Sequence, residues 1–175
     1  MSKKFAYIFG LVLVIVALSA VPAAAQAEKG DKSVSFNGMV MVFTGEGVTY
    51  EMGVVTAGLS YYATEKVEVG VAPVITIVGG ADTDTAATFG FTTFGRYNFA
   101  AKGRKAVPYL SAEYWLYDHH DVKNFSALRF AGGAKYYVKR NIAFDFNAGY
   151  ARNFFADEAW RINVIDFRFG IAYVF

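Results

Sequence analysis

The last twelve residues, Val164 to Phe175, constrain the fold more than any other stretch of the chain. From Phe175 backwards, every second residue is large and apolar: Phe175, Tyr173, Ile171, Phe169, Phe167 and Ile165. Between them stand Val174, Ala172, Gly170, Arg168, Asp166 and Val164. An extended strand alternates its side chains between two faces, so one wall of this strand is greasy and the other is tight and partly ionic. Charges normally face water, yet here the charged wall is also the one too small to hold solvent off a protein core. The pattern makes sense when the greasy wall meets lipid and the charged wall lines a packed barrel lumen.

Composition agrees with a barrel. Hydrophobic residues make up 55% of the 175 positions, and mean hydropathy is +0.28. After the first segment, however, no run approaches the roughly 18 apolar residues that a spanning helix needs. Aromatic residues reach 18%, mostly Phe and Tyr, and there are 17 Gly against 3 Pro. Phe and Tyr favour pleated surfaces, and Tyr also suits the lipid–water boundary. The chain has no Cys, which removes disulfides, thiolate metal sites, a cysteine nucleophile and the lipid-bearing Cys of a lipoprotein.

At the amino end, Lys3 and Lys4 precede an uncharged apolar run from Phe5 to Val21, followed by Pro22, Ala23, Ala24, Ala25, Gln26 and Ala27. A basic start, an apolar centre and an Ala-x-Ala end are the marks of a secretory signal peptide rather than a retained anchor. The expected organisation is a signal peptide over 1–25, with a second cleavage position after Ala27, a short polar lead-in over 26–32, and one barrel domain over 33–175. Setting Lys3 and Lys4 aside leaves 15 basic against 15 acidic residues. That neutrality gives no support for nucleic-acid binding.

From Ser33 onward the closing alternation recurs, broken by Gly, Asp, Lys and Asn clusters that read as turns. Eight segments are expected: 33–44, 49–62, 67–78, 87–99, 107–117, 126–138, 142–154 and 164–175. Gly79 to Thr85 and Asp118 to Asn124 read as loops between them. Pro73, inside the third segment, cannot donate to a ladder and predicts a bulge or a locally broken pairing. Eight strands match the tilted crossings that a bilayer requires, and an even number returns both chain termini to the same side. One set of turns then carries Lys66, Lys102, Arg104, Lys105, Lys139 and Arg140 against Glu65. The opposite connections carry Glu46, Asp82, Asp84, Asp118, Asp121, Asp157 and Glu158.

By parity, the inward ionisable residues are Glu68, Glu113, Asp145 and Asp166 against Arg96, Arg129, Lys135 and Arg168. Unpaired charge in a narrow, low-dielectric interior is costly, so this balanced set predicts mutual salt bridges rather than a selectivity lining. An eight-stranded barrel has room for side chains and little else. The expected fold is an all-β, eight-stranded antiparallel up-and-down transmembrane barrel with a filled lumen.

The closing alternation and the segment Ala134-Lys135-Tyr136-Tyr137-Val138-Lys139-Arg140-Asn141-Ile142-Ala143-Phe144 give the chain its family likeness. It resembles the small bacterial outer-membrane β-barrel proteins, the group that includes the OmpX-like proteins and the barrel domain of OmpA, over essentially the whole of 33–175. The resemblance implies that Phe175, with Tyr173 behind it, is the signal read by the barrel-assembly machinery. It also implies residence in the outer membrane among lipids and lipopolysaccharide. No peptidoglycan-binding domain is expected beyond Phe175, and a monomer without a cofactor is expected.

For function, the sequence favours a structural or surface-interaction protein without catalysis or an open pore, with a narrow porin-like channel as an alternative. An outer-membrane enzyme that modifies lipid A is another. The deacylases of that kind carry a His-x-Ser pair, whereas His120 is followed by Asp121 and Val122. His119 and His120, flanked by Asp118 and Asp121, form the one histidine-bearing cluster and the weak metal candidate; such a loop is more often simply solvated. A soluble lipocalin-like barrel would need polar rows outside, and the rows opposite the greasy ones are too poor in polar side chains for that.

Overall fold

The computed structural model describes residues 27–45, 48–80, 83–99, 104–119, 122–154 and 163–175. Over these residues the chain forms eight strands: β1 (Lys32–Gly45), β2 (Val48–Tyr62), β3 (Val67–Gly80), β4 (Thr83–Asn98), β5 (Ala106–His119), β6 (Val122–Lys139), β7 (Ile142–Phe154) and β8 (Asn163–Val174). Each pairs antiparallel with its neighbours in sequence, and β1 pairs with β8 to close the barrel. Between Ser33↔Val174 and Gly38↔Phe169 this closure gives the first and last strands backbone partners, which a bare strand edge in lipid would lack. The expected signal peptide lies outside the described residues.

Local chemistry places the turns. Between β2 and β3, the Thr64 hydroxyl accepts hydrogen bonds from the Val67 and Lys66 N–H groups at 2.9 and 3.2 Å, closing a tight connection. The β6–β7 connection is shorter still, with a register shift between Tyr137 and Lys139. Both lie at the end of the barrel where β1 begins and β8 finishes.

Two expectations about loops are corrected. Gly79–Thr85 and Asp118–Asn124 are not loops throughout, because β3 continues to Gly80, β4 starts at Thr83, β5 continues to His119 and β6 starts at Val122. Gly and Asp disfavour strands on side-chain grounds, but a hairpin arm already zipped below them keeps supplying backbone partners. Pro73 breaks pairing without a bulge. It stays in register opposite Phe91 on β4, while the β2–β3 pairs stop at Thr56↔Val74 and resume in the same register at Leu59↔Val71.

The outer wall carries the large apolar rows, including Phe36, Leu59, Phe91, Leu110, Phe130, Phe146 and Phe167, all exposed. The core is the lumen. Two groups of buried apolar residues stand out within it. Near the termini Ala27, Tyr62, Val107, Tyr137, Ala143 and Val174 pack together. Toward the other end lie Met39, Val54, Val74, Trp115 and Ala127, with Met52 and Tyr117 against them.

Candidate functional site

Between these two apolar tiers the barrel holds its charges, and all eight predicted lumen residues point inward. Glu68, Arg96, Glu113, Arg129, Lys135, Asp145 and Asp166 are buried, and the Arg168 side chain is 8% exposed. Strand parity positions each one. Arg129, for example, sits on β6 between the outward Leu128 and Phe130.

The charges form two networks. In the one nearer the termini, Lys135 Nζ donates to Glu68 Oε2 at 2.7 Å and to the Tyr62 hydroxyl at 2.8 Å. Ser60 Oγ donates to the other Glu68 oxygen at 2.6 Å. Arg96 Nη1 donates to Asp145 Oδ2 at 3.1 Å and lies 3.8 Å from Glu68, while the Tyr109 hydroxyl donates to Asp145 Oδ1 at 2.5 Å. The Arg96 guanidinium also lies 4.8 Å from the centres of both the Phe94 and Tyr109 rings, a cation–π arrangement.

The second network centres on Arg129. Its Nη1 donates to Glu113 at 2.7 Å, its Nε to Asp166 at 2.8 Å, and its Nη2 to Asn147 at 2.6 Å and also to Asp166. Arg168 Nη1 donates to the remaining Glu113 oxygen at 3.0 Å, as does the Trp115 indole N–H at the same distance. Arg168 stacks over Trp115 with its guanidinium carbon 4.3 Å from the ring centre. Buried ions are tolerated where partners meet them on several sides, and each of these carboxylates has at least two.

Glycine makes room for the largest of these groups. A Cβ on Gly149 would stand 2.5 Å from the Arg129 guanidinium atoms, and one on Gly133 would stand 2.7 Å from the Tyr109 ring. Between the networks is a void of about 20 Å³, lined by Asn37, Thr56, Thr92, Arg96, Glu113 and Arg168 among others. That is space for about one water molecule.

The aromatic and polar partners were the harder residues to see in sequence. Tyr62, Tyr109, Trp115, Ser60 and Asn147 share the inward parity, but only closure of the barrel shows which charge each one meets. His120 and Asp121 lie outside the described residues, and of Asp118 and His119 only the backbone is described, at the end of β5. Among the described residues no group of three or more His, Asp or Glu side chains stands ready to hold a metal. Phe175 ends the barrel beside β1, exchanging backbone hydrogen bonds of 2.9 Å with Lys32, and its exposed ring stacks on Tyr173.

A closed antiparallel eight-stranded wall, apolar outside and ionic within, is the fold of the small outer-membrane β-barrels. Among solved structures the chain is similar to the amino-terminal barrel domain of OprF from Pseudomonas aeruginosa, with 15% identity, a TM-score of 0.59, and coverage of 85% of this chain and 100% of that one. It is similar to the neisserial surface protein NspA, with 15% identity, a TM-score of 0.60 and coverage of 85% and 99%. It is also similar to the Escherichia coli outer membrane protein W, with 16% identity, a TM-score of 0.52 and coverage of 85% and 99%. No protein-family model matches the chain, and no curated protein sequence does.

Proposed function

We propose that this chain is an exported, integral outer-membrane barrel with a structural or surface-interaction role, without catalysis and without an open pore. The observation that carries the proposal is the filling of the lumen. Apolar groups flank a mutually paired set of four acidic and four basic side chains. A conducting pore needs a continuous wet path, and a catalytic centre needs a cleft that admits substrate. The proposal assigns function to the lipid-facing wall and the connections beyond it. The proposed partners are outer-membrane lipids and lipopolysaccharide, with the barrel-assembly machinery engaging Phe175 and Tyr173 during insertion.

The test combines two measurements on one preparation. Outer-membrane fractions should contain a species that changes migration on heating, as a folded barrel does, and the same species should give no stable conductance in planar bilayers. Recovery in the soluble periplasmic fraction would overturn the location. Lipid A whose mass changes when the protein is deleted would overturn the non-catalytic role.

A further inference from the structure

Three residues around the void between the two networks each carry a buried polar atom that has no hydrogen-bond partner among the described residues: Asn37 Oδ1, Arg96 Nε and Arg168 Nε. They come from β1, β4 and β8, and all three side chains are at least nine-tenths buried. Their other polar atoms are engaged. Arg96 Nη1 donates to Asp145 at 3.1 Å, Arg168 Nη1 donates to Glu113 at 3.0 Å, and Asn37 Nδ2 donates to Ser35 Oγ at 3.4 Å. Arg168 Nε stands 3.3 Å from Asp166 Oδ1, an ion-pair distance without the alignment of a hydrogen bond. Two N–H donors and one carbonyl acceptor are left over in a low-dielectric interior, where each is costly alone.

The chain makes room for them. Gly170 pairs with Asn37 across the β1–β8 ladder, and a Cβ there would collide with Asn37 Oδ1. A Cβ on Gly58, also on the lining, would stand 2.6 Å from Ser35 Oγ. A void of about 20 Å³ therefore persists beside these polar groups. Holding one water takes roughly 10–15 Å³ and two to four polar partners.

We infer that this void is a binding site for a single water molecule, which accepts from Arg96 Nε–H and Arg168 Nε–H, donates to Asn37 Oδ1, and joins the two charge networks into one. Ser35, Thr56 and Thr92 supply hydroxyl oxygens on the same lining for its second hydrogen. The charges argue for a neutral ligand. Four acidic side chains already balance four basic ones, so an added anion would lie beside the Glu113 carboxylate without a cation of its own. A cation would meet two guanidinium groups. Water both donates and accepts, and it fits the volume.

The test is nuclear Overhauser transfer from water to the arginine Nε–H groups of the full-length barrel folded in detergent micelles, with the rotating-frame sign separating contact from proton exchange. Cross-peaks are expected at Arg96 and Arg168 and not at Arg129, whose Nε–H donates to Asp166 at 2.8 Å. Silence at Arg96 or Arg168 would overturn the bridge, and a peak at Arg129 as well would mean a wet lumen instead of one site. A crystal structure grown in bromide supplies the second readout. Density within hydrogen-bond distance of all three atoms and without an anomalous signal is expected; a bromide signal there, or no density, would overturn the inference.

Discussion

Arg129 illustrates how a single side chain organises the interior. Its guanidinium joins β5, β6, β7 and β8 through Glu113, Asn147 and Asp166. Replacing it with Ala leaves two buried carboxylates short of their main partner, and Arg168 alone cannot meet both fully. We expect Arg129→Ala to destabilise the barrel by about 3–5 kcal/mol, measured by urea unfolding in lipid vesicles. The paired change Arg129→Met with Asp166→Asn removes charge from both sides and should cost clearly less. Gly149→Ala is expected to cost about 1–3 kcal/mol in the same assay, because the new methyl occupies space that Arg129 fills. A wild-type midpoint for Gly149→Ala would show that the guanidinium is not tightly held. At this scale the sequence was legible in one respect: parity placed all eight charges in the lumen. Which acid meets which base was not legible, since Arg129 and Asp166 become neighbours only through the registers of two intervening ladders.

At the scale of the strand, β8 tests the assignment of faces. Phe169, exposed near the middle of β8, pairs with Gly38 on β1 and Phe146 on β7. Phe169→Arg should destabilise the barrel by about 2–4 kcal/mol in bilayers, the cost of a cation near the midplane. A cost near zero would mean that this row does not face lipid. The β1–β8 ladder runs only from Ser33↔Val174 to Gly38↔Phe169, whereas the β1–β2 ladder extends to Gly45↔Val48. Amide hydrogen exchange should accordingly be faster over Met39–Gly45 than over β3 residues Val69–Val74, and the reverse order would contradict an outward-fraying seam. The existence of eight strands was readable because alternation is a two-residue signal that each face must obey. The ends of β3, β4, β5 and β6 were not. Beyond the lipid slab neither face must be apolar, so backbone pairing continues there through Gly, Asp and Asn that resemble loop residues.

At the scale of the whole molecule, closure is legible in the sequence alone. A strand that is greasy on one wall and ionic on the other leaves no tolerable free edge in lipid, so the first and last strands must pair. Which apolar residues flank the charges was not legible. Ala27 belongs to a stretch that reads as a cleavage site rather than as core, and Met39, Val54 and Trp115 meet only when separate strands converge. The proposed role requires that these groups and the paired charges between them leave no continuous path for ions. Single-channel recording on purified protein, verified as folded by its heat-dependent migration, tests this most directly. The filled lumen predicts no stable conductance above the bare bilayer; long-lived, large conductance steps from that same folded species would contradict it.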